Sequence, residues 1–462
     1  METRAGHTEP GVRERERAES ACPHGVQGSE PVPVLDVGNP KFLGQAYATY
    51  AELREKGGVV RVFVPETGQD ITQEERDNRT AFQEIFGREV FFLGRYAEVS
   101  EVLRDERFSS CPHAAKTPAE IAQMPKMAEE LRPVLTSLLT TDAPDHTRLR
   151  KLVQPCFSAQ AMEALRPRIA RIAEELLDEA LAAAEARGEV APERRLDLVE
   201  AFAFPLPVTV ISDLLGIPVA DRGKVRGWTE ELFTNRGSRG IGGELRGKLG
   251  EFSAYLRALF VEKRARTSDD LISRLVHAQE DGDVLSEDEL LSMVFIIYLA
   301  GHVTTVNLIG NGVFALLTHP EQLARFKAAP ELSKQVVEET LRFYPPVDAV
   351  TGRVATEDVE VSGTQIPRGS HVFVGLASAS HDPKRFACPE AFDLERADAN
   401  RHLSFGKGIH LCLGAPLARV EGQVAFETLF RRCPELRLAV PAEEMRWGRQ
   451  VLRGFDALPV LV

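Results

Sequence analysis

Six cysteines are scattered through the 462-residue chain, at positions 22, 111, 156, 388, 412 and 433. Only Cys412 sits in a setting built for chemistry. It falls in Phe405-Gly406-Lys407-Gly408-Ile409-His410-Leu411-Cys412-Leu413-Gly414. Gly406 and Gly408 permit a tight backbone excursion there, and Gly414 allows close approach just beyond the cysteine. Residues 415–432 then read as a helix, with Leu417, Val420, Val424 and Thr428 on one stripe. Cys412 therefore stands at a helix N-terminus, where backbone N–H groups and the helix dipole stabilise a thiolate, the form of cysteine that ligates metals. Cys156, Cys388 and Cys433 lack this setting and read as small buried hydrophobes.

Three further groups carry functional side chains at helical spacing. Ala300-Gly301-His302-Val303-Thr304-Thr305 lies within a long apolar stretch. Glycine inside a helix costs roughly 1 kcal/mol relative to alanine, so Gly301 marks close packing or a groove. By itself Thr304 reads as a threonine bonded back to the carbonyl four residues earlier. His146 and Arg150, at i and i+4, share one helix face, which solvent could simply cover, as it would for Arg148. Glu339 and Arg342, at i and i+3, read in isolation as a surface pair worth roughly a few tenths of a kcal/mol.

The elements that must position these groups are mainly helical. Helix-like spacing runs through 42–56, 96–104, 145–157, 158–187, 197–215, 220–234, 243–266, 269–279 and 332–343. The longest helix begins at a capping box, Ser286 with Glu289, and continues to Thr318, where His319-Pro320 stops it. It is apolar nearly all round, so it should run through the centre of the protein. Strands are expected at 59–64, 89–93, 350–354, 359–362, 364–366 and 371–376, with a charged surface excursion between the first two. The polar first thirty or so residues read as a disordered tail, followed by one domain over 31–462. Gly237–Gly243 (GSRGIGG) follows no strand and does not match a dinucleotide-binding glycine pattern.

Composition narrows the function classes. Hydrophobic residues make up 43% and charged residues 27%, an ordinary globular balance. The net charge of −13 argues against nucleic-acid binding. Scattered cysteines without metal-finger spacing fit a reducing, cytoplasmic setting. No secretory h-region is visible, and the apolar run Leu290–Ala300 is by itself too short to span a bilayer.

The decapeptide around Cys412 resembles the heme-binding loop of the cytochrome P450 family, FxxGxHxCxG, and matches it at every fixed position. Other family signatures follow in order: Asp142-Ala-Pro-Asp-His-Thr-Arg-Leu-Arg150, Pro205–Pro218, the Ala300–Thr305 segment, Glu339-Thr-Leu-Arg342 with Tyr344-Pro-Pro346, and Phe392–Arg396. The resemblance implies a mainly α cytochrome P450 fold holding heme b, with Cys412 as the iron ligand. It implies His146, Arg150, Arg353 and His410 at the propionates, and Glu339, Arg342 and Arg396 as a buried structural trio. Thr304 would serve oxygen activation, and Ala300, Val303, Val347 and Val350 would reach the substrate. The expected activity is hydroxylation or epoxidation of a small organic molecule of secondary metabolism. No reductase module is fused, so a ferredoxin and its reductase are the expected electron donors to a monomeric enzyme, docking near Lys407, Arg431 and Arg432. Asp348 reads as an exposed loop acid that could alternatively orient substrate.

Two departures from the family pattern stand out. Ser380-His381 replaces a common Asn-Arg, and Val303 replaces the acid that usually precedes the first threonine. Valine cannot relay a proton, which leaves His302, a substrate-and-water route, or a different product chemistry such as oxidative coupling. His302 is adjacent in sequence and so about 100° round the helix, which favours the substrate-and-water route. A non-catalytic heme ligand binder is the remaining reading, and the retained Thr304 counts against it.

Overall fold

The capping box expected at Ser286 sets the axis of the protein. In the computed structural model the Ser286 hydroxyl accepts from the Glu289 N–H at 3.3 Å, and the Glu289 carboxylate accepts from the Ser286 N–H at 2.8 Å. Glu287, Asp288 and Glu289 fill the first turn, where the helix dipole favours negative charge. The helix Glu287–Thr318 then runs for 32 residues, about 48 Å at 1.5 Å rise. This is longer than its apolar run suggests, and by length and composition it could cross a membrane. Instead, 67% of its most apolar window is buried inside the protein. Pro320 opens the next helix, Pro320–Ala328.

The structure describes residues 31–39, 41–66, 71–80, 83–124, 126–233, 240–280, 283–448 and 452–462, and 33–462 form one compact unit. The tail expected over 1–30 and residues 237–239 of the glycine-rich loop lie outside the described residues. Several helices pack directly on the central one, among them Pro205–Leu215, the short Arg132–Leu135, Ala415–Arg432 and Ser333–Phe343. Gly301 shows why its position needs no side chain, since a Cβ there would lie 3.0 Å from Ile211 Cδ1 on the Pro205–Leu215 helix.

Several long helices expected from periodicity are broken where proline or a π turn intervenes. Residues 158–187 divide into Ala159–Glu163 and Arg166–Ala186, with Pro167 in the first turn of the second. Residues 197–215 divide into a π turn over Val199–Ala203 and the helix Pro205–Leu215. The helix expected over 145–157 ends at Val153 and tightens into a 3₁₀ turn containing Pro155. The one expected over 269–279 shortens to Leu271–Val276.

The β region is small and positions one side of the site. Its five-stranded sheet runs in the order Val59–Val64, Arg88–Leu93, His371–Gly375, Ala349–Ala355, Phe108–Ser109. The contact between Arg88–Leu93 and His371–Gly375 is parallel, pairing Phe92 with Phe373, and the others are antiparallel. The excursion between the first two strands carries a short helix, Gln73–Asp77. A three-stranded sheet of Arg437–Leu438, Pro459–Leu461 and Arg195–Asp197 brings the C-terminus against the Arg166–Ala186 region.

Asp348 corrects its sequence reading. It is fully buried, accepts two hydrogen bonds from Arg453 at 2.8 and 3.0 Å, and accepts a short one from Tyr50. Arg453 also donates to the Leu43 carbonyl at 3.0 Å, so the pair ties the first helix, Phe42–Lys56, to the C-terminal segment. Asp348 is a structural anchor with no surface to offer a substrate.

Candidate active site

The Cys412 loop is a tight excursion held from within and from both sides. Gly406 and Gly408 adopt φ of 70° and 73°, and a Cβ at Gly408 would lie 2.4 Å from the Leu103 carbonyl oxygen, so no other residue fits. The Cys412 N–H donates to the Phe405 carbonyl at 2.8 Å, closing the loop. Ser404 donates to the Leu341 carbonyl, tying the loop to the Ser333–Phe343 helix. Arg150 donates to the Ile409 and Leu411 carbonyls at 3.2 and 2.7 Å, gripping the loop from the helix Asp145–Val153.

Behind the loop, the Glu339–Arg342 pair is fully buried rather than at the surface. Arg342 meets the carboxylate through two bonds of 2.7 and 2.9 Å, and Arg396 Nε reaches the same carboxylate at 3.2 Å. The remaining guanidinium donors are met by the carbonyls of Ser380, Pro389, Ala391, Ala387 and Cys388. Every charge in this trio is paired and hydrogen-bonded, the condition under which a buried ion cluster is tolerated.

Cys412 opens onto an interior cavity of about 230 Å³. It presents surface to that cavity yet is enclosed by protein at longer range. Burial therefore pushes its thiol pKa up, opposed by the Gly414 N–H, the Arg150 charge and the Ala415 N–H. The helix entrance alone does not ionise it. A metal cation held by Cys412 would supply the charge that does, because a coordinating thiol is deprotonated outright.

The cavity is walled mainly by apolar side chains of the central helix. Met293, Ile296, Ile297, Ala300, Gly301, Thr304, Thr305 and Leu308 alternate at steps of three and one, so each has neighbours at i+3 or i+4 and together they form one face. That stripe could have been found by counting back from Thr304. Leu138, Leu139 and Ile211 complete the wall from separate segments and carry no sequence signal of their own. The Thr304 hydroxyl donates to the Ala300 carbonyl at 2.9 Å, the back-bonding expected for a helical threonine. Of the residues expected to meet substrate, Ala300 lines the cavity, whereas Val303, Val347 and Val350 do not. Val303 is turned about 100° from Thr304 by helical geometry. Val347 bridges to Leu452 and Val350 pairs with Val374.

His302 also points elsewhere. It is buried against Phe204 and Tyr298, with Nδ1 2.7 Å from the Tyr298 carbonyl, and burial lowers its pKa to about 4. It is neutral at pH 7 and absent from the cavity wall.

At one end of the cavity a set of nitrogen donors converges with little to balance it. His146 is 1% exposed, its ring centroid lies 4.3 Å from that of His410, and neither ring nitrogen has a hydrogen-bond partner. Burial, helped by the His410 and Arg150 charges, lowers its pKa to about 4. Arg353, held on the sheet opposite Val372, donates to the Phe108 carbonyl at 2.9 Å and leaves a buried Nε unpartnered. Asp142 lies 4.0 Å from His410 Nε2 and accepts from the Ser110 N–H at 3.0 Å and from the Ser109 hydroxyl. Burial would raise its pKa, but these partners hold it well below the usual carboxylate range. Unmet buried donors beside an apolar cavity with a cysteine on its wall fit a flat, largely apolar ligand carrying carboxylates and a metal, which is the chemistry of heme.

On the outer side of the loop, Lys407 donates to Ser100 at 2.7 Å, and burial together with Arg104 and Arg401 lowers its pKa. Arg431 and Arg432 do not add to this patch. They are paired with Glu174 and Asp178.

Comparison with known proteins settles the class. Residues 330–442 match the family model described as Cytochrome P450. The chain is 41% identical over 433 residues to the cytochrome P450 monooxygenase PikC of Streptomyces venezuelae, covering 93% of this chain and 94% of that one. It is 38% identical over 434 residues to the 6-deoxyerythronolide B hydroxylase of Saccharopolyspora erythraea, covering 92% and 98%. Its fold matches the structure of the bacillaene polyketide synthase cytochrome P450 PksS of Bacillus subtilis 168 at a TM-score of 0.76, with 36% identity, 92% of this chain and 99% of that one. The protein belongs to the cytochrome P450 family. It is a heme b monooxygenase that uses redox partners and acts on a small molecule.

Proposed function

We propose that Cys412 is the thiolate ligand of the heme iron, that His146, His410, Arg353 and Arg150 hold its propionates, and that Thr304 serves oxygen activation. The observation that carries this reading is the convergence of Cys412, Thr304 and the unmet buried nitrogens of His146 on a single apolar cavity. Bound heme would supply the binding and two-electron cleavage of O₂, sending one oxygen atom to substrate and the other to water. The protein's own part is to exclude bulk water, hold the substrate against the central-helix stripe and place the Thr304 hydroxyl beside it. Arg150 has a second task, since it also braces the loop that carries Cys412.

The substrate we propose is a secondary-metabolite scaffold, to be hydroxylated or epoxidised. PikC is a cytochrome P450 monooxygenase, PksS belongs to polyketide biosynthesis, and a further relative acts on 6-deoxyerythronolide B. The predominantly apolar wall suits such a scaffold. Coupling without oxygen insertion is not favoured, because the named relatives are monooxygenases and hydroxylases. A ferredoxin with its reductase is the proposed electron source, docking at Lys407, Arg104 and Arg401, where positive charge is not cancelled locally. Residues 33–462 form one compact unit, which supports one heme domain over 31–462, and the enzyme is proposed to act as a monomer. The described cysteines are all free, which supports a reducing cytoplasmic setting.

Turnover under ¹⁸O₂ tests the reaction class. One labelled oxygen atom is expected in the product, and an unlabelled oxidised product overturns oxygen insertion. Thr304→Ala is expected to divert electrons to hydrogen peroxide and lower product per electron by about tenfold or more, short of the roughly hundredfold or greater loss of a whole proton-transfer group. Unchanged peroxide release removes Thr304 from the mechanism.

A further inference from the structure

A second charged cluster packs against the Cys412 loop, and the reaction as described does not use it. Glu338, next to Glu339 of the buried trio, accepts from Arg419 Nε at 2.5 Å and from its Nη2 at 3.1 Å. The pair joins the helices Ser333–Phe343 and Ala415–Arg432. The same carboxylate lies 3.2 Å from Nε2 of the buried His402. His402 Nδ1 accepts the Ser404 N–H at 3.1 Å, so the ring proton sits on Nε2 and is donated to Glu338. Burial would raise the Glu338 pKa, but the bonds from His402 and Arg419 hold it at about 2, and the carboxylate is ionised at neutral pH.

The cluster reaches the cysteine loop by two routes. In the first, the Arg419 guanidinium carbon stands 4.6 Å from the centroid of the Phe405 ring, the geometry of a cation–π contact. Phe405 lines the cavity beside Cys412, and its carbonyl accepts the Cys412 N–H at 2.8 Å. In the second, His402 holds the backbone of Ser404, the residue before Phe405. A plain staple between two helices would need only the Glu338–Arg419 pair. The contacts with Phe405 and Ser404 add something further, since they fix a cation against the loop. The Arg419 charge also counters the rise that burial imposes on the Cys412 thiol, behind the Gly414 N–H, Arg150 and the Ala415 N–H.

We propose that Arg419, held in place by Glu338 and His402, sets the reduction potential of the heme that Cys412 ligates. One-electron reduction of a ferric heme-thiolate makes it more negative by one charge. A fixed cation beside the ligand loop favours that charge, and the carboxylate behind the cation opposes it. Arg419 therefore raises the potential and Glu338 restrains it. Both act through Phe405 and the loop backbone, so they are positioning residues. The electron itself comes from the redox partner. This rests on the reading of Cys412 as the iron ligand.

The test is an anaerobic dye-mediated redox titration of the full-length holoenzyme at about pH 8, without substrate or redox partner. Arg419→Gln is expected to lower the potential and Glu338→Gln to raise it. Each should change the ferrous-to-ferric ratio at a fixed potential by about threefold or more, a tenfold change being about 59 mV for one electron. Arg419→Lys keeps the charge without the fork and should stay nearer the wild type than Arg419→Gln does. Loss of a merely structural brace would move all three variants in the same direction. Shifts of the same sign, shifts smaller than about threefold, or a lysine variant that moves as far as the glutamine one overturn the proposal. If Glu338→Gln fails to hold heme, the comparison of Arg419→Gln with Arg419→Lys decides it. The reduced CO spectrum of the wild type separates the two readings. Thiolate character with unmoved potentials sinks only the role of Arg419, whereas a spectrum without thiolate character overturns the ligand assignment and the proposal with it.

Discussion

Replacing Cys412 with serine is expected to leave a folded protein that has lost both the red-shifted CO band and oxygenation. The loop does not depend on the thiol for its shape, because the Cys412 N–H to Phe405 carbonyl bond and the Arg150 contacts involve its backbone atoms, and the Ser404 contact involves its hydroxyl. What disappears is a soft anionic ligand able to push electron density towards O–O cleavage. The oxygenation rate should fall by at least about a thousandfold, roughly 4 kcal/mol of barrier. Circular dichroism and thermal melting check the fold, and the reduced CO spectrum checks ligation. A variant that keeps the wild-type Soret position would show that another group ligates the iron. Cys433→Ser serves as the control, since that buried cysteine packs in the main hydrophobic core and should leave the spectrum unchanged.

The second large effect is on stability. Arg342→Leu strands the Glu339 carboxylate at zero exposure with only Arg396 and the Asp393 N–H as partners. Breaking a buried ion pair from one side costs about 3–5 kcal/mol, a large share of the 5–15 kcal/mol typical of a whole domain. The variant should unfold at markedly lower urea concentration and retain little heme. Arg342→Lys keeps the charge but loses the planar fork that serves Glu339 and three backbone carbonyls together, so it should fall between the two. If urea midpoints of wild type and both variants coincide, the trio does not support the fold.

The degree to which the site is legible in sequence depends on how local the information is. Cys412 is legible because its glycines, its helix entrance and its spacing all lie within about ten residues. The central helix is legible for the same reason, its cap and stop being short-range chemistry. Glu339 and Arg342 are different: their spacing is that of an ordinary surface pair, and only the converging carbonyls of residues 380–391 and the Arg396 guanidinium make the pair buried. Asp348 goes the same way, because its partners Tyr50 and Arg453 lie 298 and 105 residues off. Arg431 and Arg432 look like a basic patch in sequence and are neutralised by Glu174 and Asp178 from a distant helix.

Local chemistry in the chain thus determined the helix-rich class, the thiolate loop and the threonine-bearing central helix, since caps, glycine turns and helical periods need only neighbouring residues. The sequence also exposed the missing acid at Val303. The tertiary structure decided which side chains face the cavity. It turned Val303 and His302 away and closed the wall with Leu138, Leu139 and Ile211. The physical reason is that burial and its consequences for charge depend on what packs against a residue from elsewhere in the chain. One helical step of about 100° is enough to move a side chain from the site into the core.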